Sequence, residues 1–542
     1  MNGFVRIQEP RNEPVLSYLP GSSERDALKA ALRDMAADSA DIPCIIGGRE
    51  IRTGRLAEII PPHERETRLG VCHLAGEEEA RLAIQAAQRA RADWAAMDWV
   101  SRAAIMLRAA QLLSGKYRMI LNAATMLGQS KNPHQAEIDS ACELVDFWRF
   151  NPWYMSRMYD EQPISTNDTM NMLEQRPLEG FVFAITPFNF TSIAGNLPTA
   201  PALMGNTVIW KPASSALLSA YWIMKLLKEA GFPDGVINML PGPGGVLGPM
   251  LLTDPHLAGV HFTGSTGVFA DIWKTIGADV LRYRSWPRLV GETGGKDFIF
   301  AHTSADQEAL VAALIRGAFE YQGQKCSAVS RAYIPRSLWP SLRERLLDEV
   351  ATIRMGDVND FSNFMNAVID RGAFRNISSY IEHAKADPGL EILTGGGCDD
   401  SRGWFIQPTV VLSQDPRSKL MVEEIFGPVL TLFIYPDAQF EETLRQCDET
   451  SPYALTGAIF ARERSAVNLA KTALVHAAGN FYINDKPSGA VVGQQPFGGS
   501  RASGTNDKAG SMLNLSRWVT PRAIKENLTP PEDYRYPFME SR

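Results

Sequence analysis

Cys326, Glu292 and Asn189 are the residues whose type and setting could make and break bonds. Cys326 lies in Gly323-Gln324-Lys325-Cys326-Ser327. A thiol acts as a nucleophile when its thiolate is exposed and stabilised, by backbone N–H groups or a nearby cation. Lys325 is the adjacent cation, although neighbouring side chains need not point the same way. Read locally, Cys326 could equally be a buried structural thiol. Glu292 stands in Gly291-Glu292-Thr293-Gly294-Gly295-Lys296, where flanking glycines let backbone approach a ligand. Such a carboxylate can be a general base; a turn with a solvated glutamate is the alternative. Asn189, in Thr186-Pro187-Phe188-Asn189-Phe190, could donate to a developing oxyanion or simply occupy a turn. The segment Phe262-Thr263-Gly264-Ser265-Thr266-Gly267 joins an expected strand to an expected helix. Backbone N–H groups at a helix start can receive a pyrophosphate, although no G-x-G-x-x-G fingerprint occurs there.

Composition narrows the chemistry. The six cysteines (Cys44, Cys72, Cys142, Cys326, Cys398, Cys447) contain no C-x-x-C pair, and the eight histidines show no metal-binding spacing. Reduced thiols and no metal site are expected. A net charge of −7 argues against a nucleic-acid partner. No apolar run approaches the roughly 20 residues that cross a bilayer. The first twenty residues have neither a signal-peptide centre nor transit-peptide composition. A cytoplasmic enzyme acting on a small molecule is expected, with a trimmed mitochondrial-matrix form as the alternative.

The elements that would position these residues are alternating helices and strands. Helices are predicted at 22–38, capped by Ser22 or Ser23, at 77–96, at 101–128 and at 134–150. Residues 162–175 read as a loop or a protruding hairpin. Short apolar runs at 181–185, 207–210, 236–240 and 259–262, with a long helix at 214–230, imply βαβ units and a dinucleotide-binding sheet. The Pro- and Gly-rich stretch 241–245 reads as a connecting loop. Ser304, with Gln307 three positions on, reads as a capping box opening a helix to about Tyr321. Further strands are predicted at 409–412, 429–435, 456–461 and 480–484, and an extended tail from Thr529.

Taken together, Pro187-Phe188-Asn189-Phe190, Trp210-Lys211-Pro212, Phe262-Thr263-Gly264-Ser265-Thr266, Glu292-Thr293-Gly294-Gly295-Lys296, Gln324-Lys325-Cys326 and Glu424-Ile425-Phe426-Gly427-Pro428 occur in an order that resembles the aldehyde dehydrogenase superfamily, over roughly residues 45–520. The stretch 480–507, which contains Ser488-Gly489-Ala490, and the stretch 319–328 are similar to the Δ1-pyrroline-5-carboxylate dehydrogenase branch. So are Asn12-Glu13-Pro14-Val15 and the segment 21–28.

That resemblance implies an α/β fold of three parts. A Rossmann-like NAD-binding domain would take residues 1–150 and 179–291, and an α/β catalytic domain 292–500. A small oligomerisation flap would take 151–178 and 510–542, making a homodimer or a larger homo-oligomer. Trp153, Tyr154, Met170, Met172 and Trp518 in those flap segments would otherwise expose apolar surface. The resemblance also implies oxidation of glutamate γ-semialdehyde to glutamate with NAD. Cys326 would attack the aldehyde, Asn189 and the Cys326 N–H would hold the oxyanion, and Glu292 would activate water. Lys211 and Glu424 would hold the two riboses and Ser265 the pyrophosphate, with Thr186, Pro187, Phe188, Gly264 and Phe426 completing the cofactor site. For the substrate, Ser488, Gly489 and Ala490 would anchor the α-carboxylate and Ser327 would add a hydroxyl. Phe190 and Phe497 would sandwich the stem; Glu143 would face the ammonium or sit on a solvated helix face. Two departures stand out. Ala213, Ser214 and Ser215 follow Pro212 where many relatives carry an acidic residue, which leaves NAD against NADP open on chemistry alone. Phe269 stands where a glycine is common. A coenzyme-A-acylating relative would lack Glu292, and a catalytically retired one would have lost Cys326, Glu292 or Asn189; all three are present.

Overall fold

A computed structural model describes residues 5–539; the outermost residues of the segments 1–150 and 510–542 lie outside them. Phe181–Ile185 is wholly apolar and Thr207–Lys211 is apolar over its central three residues, and both are buried on both faces except at the last residue, the pattern of parallel strands covered by helices on each side. They pair in parallel with each other, and a seven-stranded sheet grows around them. From Phe181–Ile185 the chain steps one way, through Thr207–Lys211 to Ile237–Met239. It then crosses back to add Leu257–Thr263 and Arg288–Glu292 on the other side. That reversal opens a crevice at the carboxyl ends of the strands, the usual ligand position in such sheets. Cys44–Ile46 and Arg49–Ile51 finish the far edge antiparallel.

A second seven-stranded sheet runs Leu390–Thr394, Thr409–Ser413, Val429–Tyr435, Val329–Pro335, Asp297–Ala301, Thr456–Phe460, Asn480–Ile483. All its pairings are parallel except the first. Glu292 ends a strand of the first sheet and Asp297 begins one of the second. The carboxyl ends of one sheet therefore face the amino ends of the other across a few residues. A separate two-stranded ribbon pairs Thr169–Pro177 with Val519–Asn527 over nine residues.

Several expectations are corrected. The helix expected to end at Phe150 continues: Leu144–Asp160 runs through Pro152 and buries Met155 and Met158. Met155 and Met158 thus join the core, while Arg157 and Asp160 stay exposed. Trp518, expected to expose apolar surface, is fully buried with its ring 4.6 Å from that of His261. The helix expected over 101–128 is broken at Gly115 into Trp99–Ser114 and Arg118–Gln129. Gly244 begins a helix, Gly244–Leu252, rather than continuing a loop. Ser304 is not a cap. Asp306 accepts from the N–H groups of Glu308 and Ala309 and starts Gln307–Phe319, because its carboxylate reaches two orphan donors at once. Ser304 Oγ instead accepts from the Arg462 and Glu463 N–H groups.

Phe269 fills a definite space. Its ring stacks on Phe262 at 5.4 Å, and a Cβ on Gly291 would fall 2.1 Å from it. Gly291→Ala is therefore expected to destabilise the protein by about 1–3 kcal/mol through overpacking. In a Phe269→Ala background the added loss should largely vanish, since contacting residues do not act additively. Thermal unfolding of the two singles and the double reads this; strictly additive losses would contradict it.

Candidate active site

The nucleophile segment is delivered by an unusual turn. Gln307–Phe319 stops, and Tyr321, Gln322 and Gly323 all take left-handed backbone (φ 51°, 56° and 66°). The sequence-expected helix to Tyr321 ends two residues early for this reason. Left-handed non-glycine residues are costly and persist only where surroundings over-determine them. The Gln322 amide supplies that restraint: it donates to Ser130 and Ala367 carbonyls and accepts from Asn366 N. Gly323 must be glycine, as a Cβ would meet the Gly427 carbonyl oxygen at 2.3 Å.

The turn brings Gln324 against Asn189, whose Nδ2 donates to the Gln324 carbonyl at 3.1 Å. A second amide hydrogen remains on Asn189. The helix after it, Thr191–Leu203, is capped by Asp139, which accepts from Thr191 and Ser192 N–H groups at 3.0 and 2.9 Å. Asp139 is in turn paired with fully buried Lys131 at 2.7 Å, and that ammonium lies between the Phe190 and Tyr321 rings. One buried ion pair thus fixes both the Asn189 side and the Cys326 side.

Cys326 is buried, and burial pushes its thiol well up, aided by the carboxyls of Glu292, Asp297 and Glu424. Lys325 does not offset this: its ammonium is paired with Glu320 at 2.9 Å, which Lys486 also approaches at 3.5 Å. Glu292, the last residue of its strand, is bridged to Gly504, and its Oε1 has no hydrogen-bond partner among the described residues. Burial pushes its carboxyl up to about 8, and Lys508 opposes that shift. An unpartnered buried carboxyl with a raised pKa beside a buried thiol is the pairing a base and a nucleophile require.

Cys326 opens into a cavity of about 310 Å³. Of the expected substrate residues, Glu143, Phe190, Ser327, Gly489, Ala490 and Phe497 line it with Cys326. Ser488 does not: it is buried, and its carbonyl and hydroxyl accept from Lys486 Nζ at 3.0 and 3.3 Å. Glu143 is no solvated helix residue. It lies on a π-helical stretch, Glu137–Glu143, accepts from Ser192 Oγ at 2.8 Å, and is pushed up to about 8 by burial. Sequence reasoning missed Asp146, Val492 and the arm residues Asn12, Glu13 and Val15 as cavity wall. The signal was the Asn12-Glu13-Pro14-Val15 motif, which carried similarity but no expected role.

Of the expected cofactor residues, Thr186 to Phe188, Lys211, Gly264 and Ser265 end or follow strands of the first sheet, while Glu424 and Phe426 come from the segment before Val429–Tyr435 of the second. Thr186 follows Phe181–Ile185 and accepts from Trp210 Nε1 at 2.9 Å. Lys211 ends Thr207–Lys211, and among the described residues its ammonium has only the Pro212 carbonyl, at 3.3 Å, and no carboxylate; burial lowers its pKa. Gly264 precedes Ser265, which caps Thr266–Gly277 and leaves that helix start facing the crevice. Glu424 accepts from Gly295 N at 2.8 Å, is pushed up to about 7 by burial, and lies where a Gly294 Cβ would be. Phe426, in left-handed backbone, sets its ring 5.8 Å from Phe188. Pro187 sits between Thr186 and Phe188. An orphaned lysine, a buried carboxylate and a capped helix start suit a dinucleotide's hydroxyls and pyrophosphate. No cluster of potential metal ligands, and no helix long and apolar enough to cross a membrane, occurs among the described residues.

A parallel-sheet crevice meeting a buried cysteine, glutamate and asparagine defines a class, and comparison agrees: residues 51–523 match the aldehyde dehydrogenase family, and the chain belongs to it. Its relatives are more particular. It is 54% identical to the mitochondrial delta-1-pyrroline-5-carboxylate dehydrogenase of Dictyostelium discoideum, over 99% of this chain and 98% of that protein. It superposes on the delta-pyrroline-5-carboxylate dehydrogenase of Mycobacterium tuberculosis bound with NAD at a TM-score of 0.97, with 52% identity and both chains fully covered. The 1-pyrroline-5-carboxylate dehydrogenase from Thermus with bound NAD superposes at 0.91, with 31% identity over 96% of this chain and all of that one.

Proposed function

We propose that this chain oxidises L-glutamate γ-semialdehyde, the open form of Δ1-pyrroline-5-carboxylate, to L-glutamate with reduction of NAD, the second step of proline catabolism. The carrying observation is one cavity that joins Cys326 to two phenylalanines, the Gly489–Ala490 backbone and the Glu143 carboxyl. That wall offers an apolar sleeve for a short stem and polar groups for a charged end, which need partners once desolvated. The proposed NAD-binding part takes residues 1–150 and 179–291 and the proposed catalytic part 292–500, a reading supported by the two seven-stranded sheets.

When bound, NAD supplies the hydride acceptor. The residues do the rest. The Cys326 thiol gives its proton to solvent water, its sulfur adds to the aldehyde carbon, and the carbonyl oxygen becomes an oxyanion. The free Asn189 N–H and the Cys326 backbone N–H stabilise it, where preorganised donors count most. As that oxygen re-forms its double bond, the C–H pair leaves as hydride and a thioester remains on Cys326. Glu292 then takes a proton from water, the hydroxide adds to the thioester carbon, and the Cys326 thiolate departs, releasing the acid.

Specificity should reside in the charged-end wall. Ser327→Ala removes one hydroxyl, and a hydrogen bond to a charged group is worth about 1.5–3 kcal/mol. The expected result is a fall of roughly 10-fold or more in kcat/KM for the semialdehyde, with much less change for an aldehyde of similar length lacking the α-carboxylate. Gly489→Pro should lose more, since φ is +90° there and proline demands about −65°. Equal losses for both aldehydes in both variants would contradict the assignment.

The ribbon Thr169–Pro177/Val519–Asn527 is the proposed oligomerisation element. It is two strands wide and leaves Met170 and Met172 about half exposed, an edge that another copy would cover. A homodimer or larger assembly is expected at micromolar concentration, and a stable monomer by sedimentation would contradict this. The proposed compartment is the cytoplasm; fractionation with mitochondria, the organelle named for the Dictyostelium relative, would replace it with the mitochondrial matrix.

A further inference from the structure

A segment more than 300 residues from Cys326 in sequence walls the same cavity. Asn12, Glu13 and Val15 line it, and the polar groups around them are committed to fixed partners. Asn12 Nδ2 donates to Asp146 Oδ2 and to the Val492 carbonyl, both at 2.8 Å, while Asn12 Oδ1 accepts from Gln494 Nε2 at 2.9 Å. Glu13 N donates to the other Asp146 oxygen at 2.8 Å. The Glu13 carboxylate sits between Arg118 and Arg149, at 2.5 and 2.7 Å, and is only 9% exposed. Leu16 N and Tyr18 Oη donate to the two oxygens of fully buried Glu137, at 2.9 and 2.6 Å.

The pattern of these bonds is informative. Both oxygens of Asp146 are used by the arm, so this cavity-lining carboxylate serves the arm rather than a ligand. Among the described hydrogen bonds, none joins the arm to the turn that carries Cys326. They go to the helix Leu144–Asp160, to its π-helical entry, to Arg118 and Asn122 on the helix Arg118–Gln129, and to residues 492–494. The arm therefore ties the loop that follows Gly489 and Ala490 to the helix that follows Glu143. Those are the two walls that would grip the opposite charges of an amino acid.

We propose that Asn12–Val15 is a specificity-determining strap, which closes the Asp146–Val492 side of the aldehyde cavity and sets the separation of the Gly489–Ala490 N–H groups from Glu143. The strap makes the cavity accept a short aldehyde with a carboxylate and an ammonium, and reject longer uncharged chains. Asn12 is a positioning residue in this scheme, and the scheme rests on the proposed aldehyde site.

The test compares Asn12→Ala with the unaltered protein, using pyrroline-5-carboxylate and the straight-chain six-carbon aldehyde. Loss of the tie to Asp146 and Val492 should raise KM for the semialdehyde roughly 10-fold, in line with one hydrogen bond to a charged group. Its kcat should stay within about twofold, because the reacting atoms are untouched. The six-carbon aldehyde should hold or gain kcat/KM. Asp146→Asn, which keeps the shape of the post, should move selectivity the same way. Parallel losses for both aldehydes, a fall confined to kcat, or unchanged selectivity in both variants would overturn the strap. An unaltered protein that ignores the semialdehyde but oxidises the six-carbon aldehyde would instead overturn the functional assignment.

Discussion

Cys326→Ala is expected to abolish NADH formation from every aldehyde, by at least ~10⁴-fold, while NAD binding stays near normal. The loss is large because no other thiol can substitute. Cys44, Cys72 and Cys447 are buried away from the cavity lining, and Cys398 is exposed on the short strand Cys398–Asp399, also outside it; Cys142 does line the cavity, but its thiol is tied to the Glu137 carboxylate, to which it donates at 3.6 Å, and burial pushes it up. Alanine is smaller than cysteine and needs no partner, so the fold should survive. Alkylation sharpens the test. Cys398 should react with iodoacetamide silently, and activity should fall only as Cys326 is modified, most simply followed in a Cys398→Ser background. Retained turnover in Cys326→Ala would end the covalent mechanism.

Glu292→Gln should separate the two halves of the reaction. Hydride departure needs the thiolate and the oxyanion donors; only thioester hydrolysis needs a base acting on water. Rapid mixing should therefore show a burst of about one NADH per site followed by slow turnover. The pH dependence follows from the direction of the shift. A carboxyl raised to about 8 is protonated, and idle as a base, below that value. Deacylation in the unaltered protein should rise with pH through about 8, and in Glu292→Gln that rise should disappear. Absence of both burst and trapped acyl-enzyme would assign Glu292 to activating the thiol.

What the sequence made legible was the part fixed by local pattern. Phe181–Ile185 and Val429–Tyr435 are apolar runs long enough for buried strands and too short for helices, and both lie where expected. Ser265 was read as standing at a helix start, and it is the N-cap. The misses share a cause, which is that tertiary contacts overrode local preference. Tyr321 and Gln322 look helical, yet the Gln322 side chain and the ring-flanked Lys131 hold the chain left-handed. Ser304 has the right neighbour for a capping box, but Asp306 is closer to the helix and the stronger acceptor. Ser488 belongs to the right loop but turns toward Lys486. Asn12 and Asp146 lie more than 130 residues apart, and no local pattern announces that they meet across the cavity. Trp518 looked like surface because its partner, His261, comes from the central sheet.

The deciding measurement is NADH production by the unaltered protein from pyrroline-5-carboxylate, set beside simple aldehydes of three to six carbons under the same conditions. The kcat/KM for the semialdehyde should exceed that for each uncharged aldehyde by at least ~10-fold, the worth of one charged-group hydrogen bond. Glutamate should accumulate in step with NADH. Equal or better turnover of the uncharged aldehydes, or NADH without glutamate, would overturn the substrate assignment.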